Sequence, residues 1–171
     1  GALICGLTEI VVLTVGSKEP HSQFASWGFG GGHSMGHGGG GTATRPPGPE
    51  GLIETQREIT FHLRDRLMQP LAALPEGNGT LLDNTNFVFL NDNGEQHQAK
   101  YDNWPVIVCG NFGGRLHTGG RLIEVPNHRQ SGAVGLAQFW NSICHAMDVP
   151  TDDFGAAGIG GFIGTFNEIM A

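Results

Sequence analysis

Phe87-Val-Phe-Leu90 and Val106-Ile-Val-Cys109 are two short apolar runs separated by a polar segment. A third run, Ile10-Val-Val-Leu-Thr-Val15, lies near the start of the chain and is rich in β-branched residues. Continuous apolar runs of this length are typical of strands that are buried on both faces, as in a parallel sheet. We therefore expect the three runs to form neighbouring, largely parallel strands in the core.

Helical patterns alternate with these runs along the chain. Gly51–Leu74 is predicted to be a helix that Pro70 kinks or ends, because a proline cannot donate a backbone hydrogen bond. Its apolar stripe consists of Leu52, Ile59, Leu63, Leu67 and Leu71. Ala133–Met147 is predicted to be a second amphipathic helix, and Gly110–Val125 a hairpin-like excursion. The alternation of strands and helices predicts an α/β domain with a mostly parallel sheet flanked by helices.

The charge of the chain limits its partners. The 171 residues carry a formal net charge of −7, and we see no basic stripe with interleaved aromatic residues. That charge repels phosphate backbones, so a nucleic-acid partner is not expected. The apolar opening, Ala2–Val15, is too short and too polar to span a membrane. It resembles a strand whose partner is missing, so we expect an N-terminal portion or another subunit to complete it, with an oligomer as one form.

The chain has three cysteines, Cys5, Cys109 and Cys144, which are far apart in the sequence. Each lies in an apolar run or on an apolar helix face. Free cysteine behaves as a small buried hydrophobic residue. We therefore expect three buried thiols that form no disulfide.

A Gly/His-rich loop, residues 16–49, contains Gly31-Gly-His-Ser-Met-Gly-His37 followed by further glycines. His33 and His37 are four residues apart, and the glycines let the backbone fold closely around an ion. Neutral imidazole is a common ligand of zinc, iron and copper. The alternative interpretation is a flexible low-complexity loop with solvated histidines.

A second polar segment, Asn91-Asp-Asn-Gly-Glu-Gln-His97, follows the Phe87–Leu90 run. Asp92, Glu95 and His97 would supply two carboxylates and an imidazole for metal binding or acid/base chemistry. An ordinary Asn-Gly turn explains the same residues without any chemistry. In α/β sheets, ligands bind beyond the carboxyl ends of strands, and this segment and the Gly/His-rich loop both follow predicted strands.

Several separated motifs resemble one bacterial family, which is named for its His-x-x-Ser-His-His motif and belongs to the alkaline phosphatase and sulfatase superfamily. The similarity covers nearly the whole chain, and its motifs keep their order. They include Pro75-Glu-Gly-Asn-Gly-Thr-Leu-Leu-Asp-Asn-Thr85, Asp102-Asn-Trp-Pro105, Gly113-Gly-Arg-Leu-His-Thr-Gly-Gly-Arg121 and Met147-Asp-Val-Pro150 with Phe154-Gly155.

The resemblance implies that residues 1–171 are the C-terminal portion of a single alkaline-phosphatase-like α/β domain located outside the cytoplasm. It also implies a divalent metal ion, for example zinc or calcium, held by His33, His37, Asp92 and His97. The superfamily's nucleophile and first metal ligand normally come from the N-terminal part of the protein.

The chain departs from the family motif, which maps onto His33-Ser-Met-Gly-His-Gly38. Gly36 stands where the family has Ser, and Gly38 stands where it has its last His. These changes favour a degenerate or non-catalytic metal-binding domain with a structural or interaction role, and the chain alone is predicted to be inactive. The alternative is a metal-dependent hydrolase of phosphate or sulfate esters that an N-terminal segment completes.

Overall fold

The structure, a computed structural model, describes residues 3–13, 37–41, 46–91, 103–127, 130–155 and 162–171. The chain divides into two compact units, Gly1–Pro75 and Glu76–Ala171. Among the helices of these described residues, none has the length and the apolar character that crossing a lipid bilayer requires.

The first unit contains the main helix of the chain, α1 (Gly48–Leu63). It begins three residues before the predicted start, since Pro49 lies in its first turn, where a missing N–H costs no intrahelical bond. The N–H of Gly48 donates to the carbonyl of Gly39 at 2.9 Å. The buried face consists of Gly48, Gly51, Thr55 and Ile59, and the Thr55 hydroxyl donates to the Gly51 carbonyl at 2.7 Å.

A π-helical turn (Arg64–Met68) joins α1 to a further helical turn, α2 (Gln69–Ala72). The N–H of Gln69 donates to the Arg64 carbonyl, five residues earlier. This turn ends two residues before Pro70, which has no N–H and whose ring would clash with the carbonyl four residues before it in an α-helix. Pro70 therefore changes the helical register, and the helix continues for two residues beyond it.

The extra residue of the π-turn restores the buried face of the helix. In an uninterrupted α-helix, Leu71 would lie about 120° around the axis from Ile59. One additional residue brings the two side chains to within roughly 20° of each other. Both are buried, so the leucine stripe predicted from the sequence is maintained through the proline.

The predicted strand Ile10–Val15 is wrong for its described part. Residues 10–13 form neither helix nor strand, and their side chains are exposed. Thr14 and Val15 lie outside the described residues.

The described residues form two two-stranded sheets. β1 (Pro75–Glu76) and β2 (Gly79–Thr80) form a tight hairpin at the division between the units. β3 (Phe87–Leu90) and β4 (Val106–Cys109) pair antiparallel, with Phe87 opposite Cys109 and Leu90 opposite Val106.

The prediction of a mostly parallel, alkaline-phosphatase-like sheet flanked by helices is therefore wrong. The runs Phe87–Leu90 and Val106–Cys109 are neighbours, as predicted, but the described residues form only a small mixed α/β arrangement. The burial of β4 gives the physical reason. Val106 and Val108 pack toward the core, whereas Ile107 between them is 53% exposed. A sheet with one face on the core and one face toward solvent is typical of antiparallel pairing.

The core of the second unit lies beneath α3 (Leu136–Ala146), which falls within the predicted helix Ala133–Met147. The buried members of this core are Leu116, Phe139, Ile143, Ala146 and Ile169. Phe139, Ile143 and Ala146 recur at helical spacing and so form one face of α3.

The C-terminal segment completes this core. Leu116 forms an antiparallel bridge with Met170, next to a short 3₁₀-helix (Asn167–Ile169). The predicted excursion Gly110–Val125 therefore pairs with the C-terminal segment, and the hairpin expected within it is wrong for the described residues.

Candidate functional site

Three of the four predicted metal ligands, His33, Asp92 and His97, lie outside the described residues. His37 is described and exposed. In the described part of the chain, no three His, Cys, Asp or Glu side chains lie close enough together to hold a metal ion. The four-ligand metal site therefore stays a prediction.

The backbone that follows His37 is fixed to the start of α1. Gly38 and Gly40 have positive φ angles of 85° and 75°, and the Gly39 carbonyl between them accepts the Gly48 N–H. A side chain on Gly48 would lie 3.2 Å from the Cα of Gly38. His37 thus lies two residues from a backbone group that is hydrogen-bonded to the start of α1.

All three cysteines are free. Cys109 and Cys144 are half-buried, but Cys5 is exposed, so the prediction that it is buried is wrong. Exposure makes the Cys5 thiol accessible to reagents.

Two fully buried polar side chains fix the C-terminal loops onto α3. The Asn141 Nδ2 donates to the Gly164 carbonyl at 2.7 Å, and its Oδ1 accepts the Phe154 N–H at 2.8 Å. The Ser142 hydroxyl donates to the Gln138 carbonyl at 2.9 Å and accepts the Phe166 N–H at 2.8 Å. Because each polar atom is paired, burial of these groups stabilises the arrangement.

The C-terminal end of α3 presents a carboxylate at a constrained position. Asp148 has a φ of +62°, a left-handed conformation usually occupied by glycine at helix ends. The Val149 N–H donates to the Cys144 carbonyl at 2.9 Å, and the Asp148 N–H donates to the His145 carbonyl at 3.2 Å. Arg115 pairs with Asp148 at 2.6 Å and donates to the Ala146 carbonyl at 3.0 Å, so it neutralises the negative end of the helix.

Beyond this helix end lies a surface that we call the aspartate patch. It comprises Met147, Asp148, Val149, Asp152, Asp153 and Phe154. Val149 is 66% exposed and Phe154 is 47% exposed. His145 Nε2 lies 3.2 Å from Asp152 Oδ1, and the rings of Trp140 and Phe154 have centroids 6.0 Å apart. These contacts position the patch on α3.

The first unit carries an exposed surface on α1 and on the first residue of the π-turn, which we call the arginine face. It comprises Ile53, Arg57, Phe61 and Arg64, which lie within an arc of about 80° on the side of the helix opposite its buried face, and exposed Glu50 lies in the same arc. Ile53 is 61% exposed and Phe61 is 40% exposed. The guanidinium carbons of Arg57 and Arg64 lie 5.9 and 5.0 Å from the centroid of the Phe61 ring.

Arg64 is partly neutralised by its neighbour. Its Nε lies 2.6 Å from the Asp65 carboxylate, and this hydrogen bond lowers the pKa of Asp65. Both side chains are about half exposed, so the pair contributes little to stability. The Arg57 guanidinium also lies near the Phe61 ring, 5.9 Å from its centroid.

No family model, curated protein or solved structure matches the chain. The family resemblance therefore stays a prediction. Neither surface was identified as a site from the sequence, although the signals are visible. Met147-Asp-Val-Pro-Thr-Asp-Asp-Phe154 alternates carboxylates with large apolar residues directly after a helix. The arginine face is visible as arginine and apolar residues at helical spacing on the side away from the leucine stripe.

Proposed function

We propose that this chain is a non-catalytic structural or interaction protein that works outside the cytoplasm and binds a divalent metal ion through its Gly/His-rich segment. The observation that supports the interaction role is the concentration of large exposed apolar side chains beside charged ones on the arginine face and the aspartate patch. Exposed apolar groups rimmed by charge are typical of surfaces that bind other proteins. The location outside the cytoplasm rests on the family resemblance alone.

The metal-binding part of the proposal rests on the spacing of His33 and His37 and on the resemblance of this segment to the family motif. Imidazole nitrogens suit zinc, and Asp92 with His97 would complete a mixed nitrogen and oxygen ligand set.

Elemental analysis of the purified native chain tests metal binding. We expect a bound divalent ion that the double variant His33→Ala/His37→Ala lacks. His117→Ala is the matched control, because His117 is an exposed histidine in the second unit. Equal metal content in the double variant and in the native chain would overturn this part of the proposal.

An esterase assay tests the absence of catalysis. A weak hydroxyl nucleophile must be activated against a metal before it can attack a phosphate or sulfate ester. We expect the chain, supplied with zinc, manganese or calcium, to leave aryl phosphates and aryl sulfates unchanged. Turnover that requires the metal and disappears in His33→Ala would instead establish the alternative, a metal-dependent hydrolase.

A further inference from the structure

A two-residue loop, Gly77-Asn78, joins β1 to β2 and is exposed. Gly77 has a φ of +57°, a conformation that favours glycine and is common in two-residue hairpin loops. Asn78 is followed by Gly79, which is also exposed. The hairpin therefore presents an Asn-Gly pair to solvent at a defined place in the fold.

Both ends of this loop are held by side chains from the turn that follows β2. The Asn84 Nδ2 donates to Glu76 Oε2 at 2.6 Å and so fixes the residue before the loop. The Thr80 N–H and hydroxyl both donate to Asp83 Oδ2, at 2.7 and 2.8 Å. Among the described residues, none hydrogen-bonds the side-chain amide of Asn78. The ends of the loop are thus fixed, whereas the Asn78 side chain is free to rotate toward the backbone.

An asparagine that is followed by glycine cyclises more readily than other asparagines. The backbone nitrogen of the glycine attacks the side-chain carbon Cγ and forms a succinimide ring, and the amide nitrogen leaves as ammonia together with the proton of the glycine N–H. Water then opens the ring at either carbonyl, which leaves aspartate or an isoaspartate whose main chain runs through the side chain. Glycine favours the attack because it has no Cβ to hinder the approach and because its backbone is conformationally permissive.

We propose that Asn78 is a site of spontaneous deamidation and that the carboxylate of Asp83 slows the reaction. A Cβ built on Gly79 would lie 2.7 Å from Asp83 Oδ2, so the carboxylate lies beside the attacking residue. The attacking nitrogen must lose its proton, and a negative charge beside it opposes that loss. The hydrogen bonds from Thr80 to Asp83 also restrict the backbone rotation that ring closure needs. The modification goes beyond the proposed function and does not depend on metal binding.

The products differ from the native loop in charge and in length. Either product replaces an amide by a carboxylate, which changes the formal net charge of the chain from −7 to −8. Isoaspartate also adds one atom to the main chain of a two-residue loop whose ends are fixed. Because a short two-stranded hairpin is marginally stable, this insertion weakens the pairing of β1 with β2.

Asn78-Gly79-Thr80 is also an acceptor sequence for N-linked glycosylation. The structure favours deamidation, because the Thr80 hydroxyl that characterises this acceptor is bonded to Asp83. Deamidation needs only water, whereas glycosylation needs a transferase and an activated sugar. The two modifications add different masses at Asn78, so one measurement distinguishes them.

Incubation of the purified full chain at neutral and alkaline pH, followed by peptide mass spectrometry, tests the proposal. We expect Asn78 to gain the mass of an amide-to-acid conversion, and to do so faster as the pH rises, because deprotonation precedes the attack. The internal controls are exposed asparagines without a following glycine, which should convert more slowly: Asn84, Asn111 and Asn167. The variant Asn93→Gln removes the other Asn-Gly pair of the chain, so that isoaspartate labelling reports on Asn78.

A second pair of variants tests the part played by Asp83. Asp83→Ala should raise the rate of conversion at Asn78 severalfold, since it removes both the adjacent charge and the hydrogen bonds to Thr80. Glu124→Ala is the matched control, because Glu124 is an exposed carboxylate on another segment of the second unit, and it should leave the rate unchanged. Circular dichroism verifies that each variant keeps its helix content.

Three outcomes would overturn the proposal. The first is an Asn78 that converts no faster than the control asparagines. The second is a sugar attached to Asn78, because a glycosylated amide nitrogen does not leave as ammonia. The third is an equal rate of conversion in Asp83→Ala and Glu124→Ala, which would remove the role of the Asp83 carboxylate. None of these outcomes bears on the metal analysis or the esterase assay.

Discussion

Replacing Asn141 should destabilise the second unit far more than its small polar side chain suggests. Asn141 is fully buried and makes two hydrogen bonds, one to the Gly164 carbonyl and one from the Phe154 N–H. Each buried hydrogen bond contributes about 1 kcal/mol net, and leaving its partner unsatisfied adds about 1 kcal/mol or more. We therefore expect Asn141→Ala to lower the free energy of unfolding by roughly 2–4 kcal/mol.

A second substitution at the same position separates hydrogen bonding from packing. Asn141→Asp keeps the oxygen that accepts the Phe154 N–H but replaces the amide donor with an oxygen that faces the Gly164 carbonyl. Burial and this repulsion should raise the pKa of the introduced carboxyl in the folded state. The loss of stability caused by Asn141→Asp should be small below the unfolded-state pKa of about 3.9, where the carboxyl is protonated in both states. It should grow as the pH rises toward the raised folded-state pKa.

Urea unfolding of the full chain, followed across pH, measures both effects. The midpoint should fall in Asn141→Ala at every pH, and in Asn141→Asp mainly near neutral pH. Asn167→Asp is the control, since Asn167 is exposed and uses its side-chain oxygen to accept from Thr165, as a carboxylate also would. The reasoning would be refuted if Asn141→Ala lowered the free energy of unfolding by less than about 0.5 kcal/mol. It would also be refuted if the stability of Asn141→Asp changed with pH in the same way as that of the native chain.

Three further results are expected. Gly110→Ala should destabilise the chain by about 2 kcal/mol or more, because Gly110 has a φ of +102° and an added Cβ would lie 2.9 Å from the Thr85 carbonyl oxygen. Thermal unfolding measures this loss. The control Gly119→Ala, where an added Cβ meets no neighbouring atom, should have a stability within about 0.5 kcal/mol of the native chain. Hydrogen bonds from the Thr80 hydroxyl and N–H lower the pKa of Asp83, so its stabilising contribution is present above its ordinary pKa and is lost as the pH falls through the lowered one. NMR titration of Thr80→Val should find this pKa nearer its ordinary value, and an unchanged pKa would contradict the assignment. Cys5, which is exposed, should react with a thiol reagent faster than the half-buried cysteines, and equal rates would count against its exposure.

The positions of the local elements could be predicted from hydrophobic pattern, but the sheet could not. Both β3 and β4 occupy predicted apolar runs. A four-residue run such as Val106–Cys109 is compatible with burial on either one face or two, and strand direction depends on the long-range pairing. The exposure of Ile107 shows that only one face of β4 is buried, and this exposure is visible only in the folded structure.

The candidate surfaces were missed for a related reason. Hydrophobic periodicity identifies the side of a helix that faces the core, so Ile53 and Phe61 on the opposite side of α1 are discounted as scattered apolar residues. Asn141 and Ser142 interrupt the apolar pattern of α3, although they are among its most deeply buried residues. Their role depends on loop backbone more than ten residues away in the sequence, which no local pattern reveals.

The π-turn at Arg64–Met68 has a consequence for changes in chain length. Deleting one residue within most of α1 would rotate every later side chain by about 100° and carry Leu71 off the buried face. Deleting one residue inside the π-turn would instead convert it to an ordinary α-helical turn and leave Leu71 facing the same way. That α-helical turn would restore the clash of the Pro70 ring with the carbonyl four residues before it, so such a deletion keeps the buried face but needs Pro70 to be replaced as well.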